Sequence, residues 1–230
     1  MIRAARIAAI ALLTSGLVIL LDAGLTIAWK EPISSIIAQV NQDRASEQFE
    51  DLRRQFAERI SQLPPKGNPR AQARALARIF RADMPPAGHA IGQILIPAID
   101  ADYKVVEGTD TESLKKGPGH YPETKIPGLG GTTAIAGHRT TYLAPFHDID
   151  KLKKGDEIVL EMPYANFRYA VEKTRIVTPD KVGVVRDIGR ERLVLSACHP
   201  LYSAAQRYII FGRLVQVGMF GPLTKRWQDP

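Results

Sequence analysis

The chain has 230 residues, of which 45% are hydrophobic and 24% charged, with a formal net charge of +7 and one cysteine. These values favour one core of about 130–180 residues with an appendage, and they exclude collagen-like, coiled-coil-only and fully disordered chains. The positive charge is spread along the chain without zinc-finger spacing, so nucleic-acid binding is not expected. A single cysteine excludes an internal disulfide and leaves only a mixed Cys/His metal site open. We predict no metal and no cofactor.

The first predicted element is the apolar run of residues 7–29, which contains one charge, Asp22. Its length matches the ~20 residues that a helix needs to cross a bilayer. Because Arg3 and Arg6 precede the run, we predict a membrane-spanning anchor over residues 1–30, with the N-terminus in the cytoplasm and the remainder outside. A cleaved signal peptide is the alternative, but the run exceeds the usual ~7–15-residue apolar region of such a peptide.

Residues 31–87 are polar and helix-prone, and we interpret them as a helical stalk or linker. Apolar residues recur there at spacings of three and four, which predicts one narrow apolar stripe on a helix. The stripe consists of Phe49, Leu52, Phe56 and Ile60. After a Pro- and Gly-containing break, a second short helix is predicted whose arginines share one face, either solvated or touching anionic lipid or wall polymer.

From residue 88 to about 221 the sequence consists of short β-branched runs separated by Gly, Pro and Asp. Seven or so short strands without a regular helical pattern between them predict a mainly β domain, an antiparallel-rich sandwich or small barrel. Residues 222–230 are predicted to form a C-terminal tail.

Cys198 ends an apolar strand just before Pro200, which cannot continue a hydrogen-bonded ladder. The thiol is therefore expected at the rim where a strand meets a loop. A free thiol in an oxidising compartment is either buried or used, so a structural buried cysteine is the alternative to a nucleophile.

Arg207 begins the next strand after a loop too short for a helical crossover, so the two strands should be antiparallel. This geometry brings the Arg207 guanidinium toward Cys198. A fixed cation near sulfur favours the thiolate and can bind an oxyanion. The alternative is an arginine that pairs with a surface carboxylate.

A thiol nucleophile needs a proton acceptor, and histidine is the usual one near neutral pH. His138 is the best match because it ends an apolar strand as Cys198 does. His199 adjoins the cysteine, but neighbouring residues at a strand end point apart, so it is expected to shape the loop. The other histidines lie in loops: His89, His120 and His147.

The order His138, Cys198, Arg207, each at a strand edge, resembles the sortases. The stretches GPGHYPETKIPG, AIAGHRTTYLAPF and LSACHPLYSAAQRYIIFGRL are similar to class E sortases of Gram-positive, mostly actinobacterial, surfaces, over about residues 88–218. The resemblance implies an eight-stranded sortase-like β-barrel over residues 88–221, behind a transmembrane helix and a helical stalk. It also implies a catalytic domain outside the cell membrane.

The activity implied by this resemblance is that of a cysteine transpeptidase. Cys198 would attack the Thr–Gly bond of a Leu-X-X-Thr-Gly-like sorting signal, Leu-Ala-X-Thr-Gly in class E members, and form a thioester. His138 would be the acid/base, and Arg207 would hold the substrate and stabilise the oxyanion. The implied partners are surface proteins that bear the signal, and an acceptor amine from a peptidoglycan precursor or a pilin lysine.

One position departs from the family pattern. Where sortases often have Thr-Leu-X-Thr-Cys, this chain has Val-Leu-Ser-Ala-Cys, so Ala197 lacks a hydroxyl beside the thiol. We predict Tyr121, Ala197 and His199 as substrate-contacting positions. Two other classes remain open at this stage, an L,D-transpeptidase-like thiol enzyme, whose Ser-His-Gly-Cys setting is absent, and a non-catalytic membrane-tethered scaffold.

Overall fold

The computed structural model describes residues 2–29, 32–62 and 67–219. Long helices precede the strands: α1 (Ile2–Trp29), α2 (Pro32–Ser61) and α3 (Pro69–Ala82). Helix α3 begins after Asn68, whose side chain accepts hydrogen bonds from the backbone N–H groups of Arg70 and Ala71. The predicted tail over residues 222–230 lies outside the described residues.

Within the described ranges, no helix combines the length and the apolar character that crossing a membrane requires. The structure therefore does not support the membrane-spanning anchor that we predicted over residues 1–30.

In the part of the chain that the structure describes, eight strands close into a barrel in the order β1-β2-β3-β4-β7-β8-β6-β5. Their bounds are β1 (Ala90–Ile96), β2 (Ala101–Glu107), β3 (Gly119–His120), β4 (Thr132–Gly137), β5 (Glu157–Met162), β6 (Ala165–Val177), β7 (Arg192–His199) and β8 (Gln206–Gly218), with a short helix α4 (Thr111–Leu114) after β2. The eight-stranded barrel implied by the resemblance is confirmed. Strand β3 was missed because two residues are too few to show an alternating pattern.

Neighbouring strands are antiparallel except for two pairs, β2 with β3 and β4 with β7. Strands β7 and β8 are antiparallel, as the short connection between them predicts. Alternate residues of each strand point into the barrel, where they form the main core. That core includes Ile94, Ile135, Leu160, Tyr169, Leu193, Leu195 and Ile210.

Helices α2 and α3 pack against the barrel. Phe56 of α2 lies in the main core together with Leu76 and Phe80 of α3. The Phe56 and Phe80 rings meet edge to face with centroids 5.7 Å apart. Leu52 and Ile60 of the predicted stripe also pack against this core, whereas Phe49 packs in a separate cluster with Ala45 and Ala90.

Hydrogen bonds also tie α2 to the barrel. The Gln42 side chain accepts the backbone N–H of Lys104 at 2.7 Å and donates to the Lys116 carbonyl at 2.6 Å. Gln48 accepts the N–H of Ala90, at the start of β1, at 3.0 Å. A barrel limited to residues 88–221 would leave these groups and the apolar faces that the helices cover exposed to water, so the division at residue 88 stays a prediction to be tested by truncation.

Candidate active site

Strand register gathers the three predicted catalytic residues at one end of the barrel. Cys198, near the end of β7, lies directly opposite Arg207 on β8. Strand β4 runs parallel to β7, with Gly137 beside Ala197. His138, the next residue after Gly137, therefore follows β4 out of the barrel beside Cys198.

The side chains of β7 alternate between two faces. Leu193, Leu195 and Ala197 belong to the barrel core, whereas Val194 belongs to a separate apolar cluster outside it. By this alternation Cys198 projects on the same side as Val194. We call this side, with the matching sides of β4, β6 and β8, the outer face. We call the apolar group on it the outer cluster, which is formed by Ala134, Val194, Ile209 and Phe211.

Ala197, a predicted substrate-contacting position, has its side chain on the interior side of β7. Its side chain is 2% exposed and packs in the barrel core, on the opposite side of β7 from Cys198. A hydroxyl at this position would therefore point into the barrel interior. Only the backbone of Ala197 can reach a molecule on the outer face.

His199, the second predicted substrate-contacting position beside the cysteine, lies on the same side of β7 as Ala197. It follows Cys198 and points the other way, with its ring centroid 5.6 Å from that of Tyr208 and its Nδ1 3.4 Å from Arg139 Nη1. Tyr208 packs against the barrel core. His199 thus supports the interior end of the barrel and does not line the outer face, while its expected role in shaping the strand end agrees with these contacts.

His138 lies in a tightly packed surrounding. A Cβ added at Gly137 would lie 2.5 Å from the Phe146 ring, so only glycine fits just before His138. The ring centroid of Tyr142 is 5.2 Å from that of His138. Burial lowers the pKa of His138 below its ordinary value of 6.5, because the charged imidazolium loses hydration. At neutral pH the imidazole is therefore neutral and able to accept a proton.

The loop after His138 is strained. Tyr142, Leu143 and Ala144 have φ angles of 50°, 64° and 46°. This left-handed region is unfavourable for residues with a Cβ, and strained segments concentrate at functional sites. The loop is tied back by the Phe146 N–H, which donates to the His138 carbonyl at 3.0 Å.

Arg207 is half-buried and lies on β8 opposite Cys198. Its Nη1 donates hydrogen bonds of 2.9 Å to the carbonyls of Ala204 and Gln206. These bonds attach the guanidinium to the β7–β8 connection, and no ion pair to Arg207 is found among the described residues. The structure therefore does not support the alternative, in which Arg207 only neutralises a surface carboxylate.

Arg139 supports the site from the interior. Its side chain is 2% exposed and forms an ion pair of 2.9 Å with Asp150. It also donates to the carbonyls of His147 at 2.9 Å and Cys198 at 3.4 Å. A cation at this position fixes the backbone that carries both His138 and Cys198.

Tyr121, the predicted signal-contacting residue, is partly buried and packs against the outer cluster. A buried network that the sequence did not reveal holds it there. His120 Nδ1 lies 2.8 Å from Glu107, and His120 Nε2 lies 3.2 Å from Thr124 Oγ1. Thr124 in turn donates to the Tyr121 carbonyl at 2.8 Å and accepts the Ala134 N–H at 3.1 Å. The network fixes the loop that carries Tyr121.

The β6–β7 connection lies over the outer cluster, and Arg192 holds it there. Arg192 Nη2 donates to the carbonyls of Val184 at 3.0 Å and Arg186 at 2.8 Å, and Nε donates to Thr132 Oγ1 at 2.9 Å. Its guanidinium also stacks 5.3 Å from the centroid of the Phe211 ring. Val184 and Val185 of the connection pack on the outer cluster.

Across residues 2–29, 32–62 and 67–219, no group of His, Cys, Asp and Glu side chains is arranged to hold a metal ion. A thiol, an imidazole and a guanidinium lie at adjoining strand ends, and groups of these types can act as nucleophile, proton acceptor and oxyanion donor in covalent acyl transfer. Fold and site together define a thiol acyltransferase on a β-barrel.

The comparison with known proteins agrees. Residues 94–215 match the Sortase domain family. Over 135 residues the chain is 38% identical to Sortase D of Bacillus subtilis (strain 168), covering 57% of this chain and 67% of that protein. This chain belongs to the sortase family, and it is a cysteine transpeptidase.

Class E sortases are among its relatives. The chain is 31% identical over 145 residues to Sortase SrtE2 of Streptomyces coelicolor, covering 55% of this chain and 56% of that protein. The solved structure of sortase E from Streptomyces avermitilis superposes with a TM-score of 0.55 at 31% identity, covering 64% of this chain and 97% of that one. The resemblance seen in the sequence is confirmed, and family membership excludes the scaffold and L,D-transpeptidase alternatives.

Proposed function

We propose that this transpeptidase cleaves a Leu-X-X-Thr-Gly-like sorting signal between Thr and Gly, with Cys198, His138 and Arg207 as its catalytic residues. The observation that supports this proposal is the strand register, which places Cys198 opposite Arg207 and His138 at the end of the neighbouring parallel strand. Because these residues lie at the ends of their strands, an extended peptide can lie along the outer face and reach them.

In the acylation step the Cys198 sulfur attacks the carbonyl carbon of the signal's threonine. The thiol proton passes to the neutral His138 imidazole, and the negative charge that develops on the carbonyl oxygen is stabilised by the Arg207 guanidinium. The imidazolium then donates its proton to the glycine nitrogen as the C–N bond breaks. The products are a thioester on Cys198 and a free amine on the departing segment.

In the second step an incoming amine attacks the thioester carbonyl carbon. The amine proton passes to His138, the C–S bond breaks, and the Cys198 sulfur leaves and recovers the proton. The net reaction exchanges one amide bond for another and needs no oxidant, reductant or cofactor. We propose a peptidoglycan precursor or a pilin lysine as the source of the amine, and surface proteins that bear the signal as substrates.

Tyr121 is proposed to contact the signal. It borders the outer cluster, on the face to which Cys198 projects, and the hydrogen bonds through Thr124 keep its backbone in place. A partly buried aromatic ring beside an apolar surface suits the apolar side chains of a signal such as Leu-Ala-X-Thr-Gly. Substitution of Tyr121 by Ala should raise KM with little change in kcat.

We also propose that the protein acts outside the cell membrane and is attached to that membrane by its N-terminal region. The support is the set of large apolar side chains exposed along α1: Ile7, Ile10, Leu12, Leu13, Leu17, Val18, Ile19, Leu20 and Leu21. Exposed apolar side chains in such number call for an apolar partner. Fractionation of cells tests this part, since release of the full chain without detergent would contradict it.

The experiment that tests the reaction uses a fluorogenic peptide carrying Leu-Ala-Glu-Thr-Gly. Cleavage between Thr and Gly and a thioester adduct mapped by mass spectrometry to Cys198 are expected. Addition of a glycine or lysine amine should divert the product from the acid to the amide. Cleavage at another bond, or an adduct on another residue, would contradict the proposal.

A further inference from the structure

A pocket of about 560 Å³ lies at the end of the barrel opposite the catalytic residues. It is bounded by α3, by Gly128 and Gly130 in the loop between β3 and β4, and by Glu191 just before β7. Strand β7 begins at Arg192, and Cys198 lies near its other end, about 20 Å away at ~3.3 Å per residue. The pocket is therefore separate from the active site.

Arginines of α3 form one wall of this pocket. Arg70, Arg74 and Arg78 are spaced four residues apart, so they follow one another along one face of the helix at intervals of about 6 Å. All three are exposed, and none of them forms a salt bridge with a described residue. Arg190, just before β7, adds a fourth guanidinium to the lining.

Two carboxylates near the pocket do not balance this charge. Glu191 is the acidic residue among the described lining residues, and its carboxylate accepts the backbone N–H of Gly128. Its charge also acts on two of the α3 arginines. Glu172 pairs with Arg190 at 3.3 Å. Four guanidinium groups against two carboxylates leave the pocket positive, and a positive concave surface attracts anions.

Helix α2 separates this pocket from the apolar helix α1. Ser34, at the start of α2, lies at the catalytic end, where its Oγ accepts the Tyr142 N–H at 3.4 Å. Phe56, toward the other end of α2, contacts Phe80 of α3. With 30 residues, α2 is about 45 Å long at ~1.5 Å per residue. With the proposed attachment through α1, the catalytic end therefore faces the membrane and the pocket faces away from it.

We propose that this pocket binds a linear polyanion outside the cell membrane whose repeating charged groups are phosphodiesters. A guanidinium group donates paired N–H groups in the geometry that phosphate oxygens accept. A row of arginines at intervals of about 6 Å matches a chain of anions better than a single ion. The distance from α1 favours a polymer over the headgroups of the bilayer, and this choice rests on the proposed membrane attachment.

Binding at this pocket would hold the enzyme at the end that faces away from the membrane. Helix α1 would attach one end of the molecule and the α3 arginines the other. The catalytic end would stay unobstructed, since the pocket shares no lining residue with the catalytic group. The proposed ligand is therefore expected to position the enzyme without changing its turnover.

The test measures binding to the full chain in a neutral detergent at low ionic strength. The probe is a fluorescently labelled oligomer of glycerol units joined by phosphodiesters, and fluorescence anisotropy reports its binding. Salt at about 0.5 M should weaken binding on the order of 10-fold or more, because exposed charges are screened. Polyglutamate of equal charge should bind more weakly than the oligomer. Inorganic phosphate at the same phosphate concentration should not displace it.

Neutralisation of the α3 row tests the pocket itself. The combined change Arg70→Gln, Arg74→Gln and Arg78→Gln should weaken binding of the oligomer ~10-fold or more, because three charged contacts are lost. Arg78→Gln alone should weaken it by a smaller factor, which keeps the test decisive if the triple variant folds poorly. Urea denaturation checks folding, and the rate of peptide cleavage should stay that of the original protein.

The matched control removes the same number of charges elsewhere. Arg44, Arg54 and Arg213 are exposed and lie outside the pocket lining. Their combined replacement by Gln lowers the net charge equally, and it should change the affinity for the oligomer by no more than about 2-fold.

Each contrary outcome overturns a stated part of the inference. Equal binding by the two triple variants would overturn the assignment of the pocket. Displacement of the oligomer by phosphatidylglycerol added to the micelle would overturn the choice of a polymer over a lipid. Polyglutamate binding as tightly as the oligomer would overturn the choice of phosphodiesters. Because binding is measured without turnover, failure of the original protein to cleave the signal peptide would overturn the proposed reaction and leave the pocket assignment intact.

Discussion

The two sides of the β7 strand end differ in what they hold. On the outer face, Cys198 and Arg207 are half-buried and open to an incoming peptide. On the interior side, Ala197, His199 and Arg139 pack against the core or bind backbone carbonyls. Because side chains alternate along a strand, residues adjacent in sequence lie on opposite sides of it and have different roles.

The outer side of the strand end carries the proposed reacting groups, and the interior side holds the backbone that positions them. Changes of the half-buried residues Cys198 and Arg207 should alter turnover and leave the free energy of unfolding nearly unchanged. Changes on the interior side should alter the free energy of unfolding first and turnover only as a result. The predictions below use this difference, beginning with the largest effect.

Cys198→Ala should lower transpeptidation by ~10⁴-fold or more, since no other thiol exists in the chain. Its free energy of unfolding should stay within about 1–2 kcal/mol of the original, as expected away from the core. Peptide cleavage and urea denaturation measure the two quantities. Substantial turnover by Cys198→Ala would contradict the assignment of the reaction to the outer side of the strand end.

Arg207→Lys should lower the acylation rate by ~10²-fold, because lysine keeps the charge but lacks the planar pair of N–H donors. Single-turnover acylation measures this rate. Arg213→Lys is the matched control, since Arg213 lies on the same strand and is exposed. An unchanged rate in Arg207→Lys would mean that the guanidinium acts only through its charge.

Arg139→Ala should lower the free energy of unfolding by about 1–3 kcal/mol, because the carbonyls of His147 and Cys198 and the Asp150 carboxylate lose their common partner. Thermal and urea denaturation measure the loss. The fraction of chain that remains folded should retain acylation within ~10-fold, in contrast to Arg207→Ala. Full stability with acylation abolished would show that Arg139 acts in the reaction itself.

The smallest effect concerns pH. Since burial lowers the pKa of His138 below 6.5, the neutral base persists to more acidic pH, and the acid limb of kcat/KM should lie below pH 6.5. The buried imidazole resists protonation in the folded state, so its effect on stability is a loss as pH falls below 6.5 and is absent above it.

Tyr142→Ala sharpens this prediction. Removal of the ring that lies 5.2 Å from the His138 ring should hydrate the imidazole, raise its pKa and move the acid limb toward pH 6.5. A kcat/KM profile across pH 4–8 measures the shift. An acid limb above pH 6.5 in the unmodified protein would contradict the proposed role of a buried neutral His138.

Much of the fold was readable from the sequence. Seven strands and the antiparallel β7–β8 pair follow from β-branched runs and from the short connection after Cys198. The strand-end position of His138 was visible in the sequence, but its place beside Cys198 depends on the parallel pairing of β4 with β7, which nothing in the local sequence states. Pairing over such a distance depends on the whole barrel.

The sequence already carried a signal for the two residues beside Cys198, and it was applied to His199 but not to Ala197. Ala197 and His199 flank Cys198, so the period-two alternation already assigns both to the other side of the strand. The His120–Glu107 contact could not be found this way, because it joins two segments through a loop. Docking of α2 and α3 on the barrel was equally hidden, since an apolar stripe indicates that something covers it without indicating what.

The parallel pairing of β4 with β7 also determines when the enzyme becomes competent during folding. Thr132 aligns with Arg192, so the two strands join across sixty residues of intervening chain. Closing so long a loop is entropically costly and tends to come late. Until that closure the thiol has no imidazole beside it, so with the proposed role of His138 a nascent or partly folded chain should not form the thioester. Detection of activity therefore indicates that β4 and β7 have paired and that the barrel has closed.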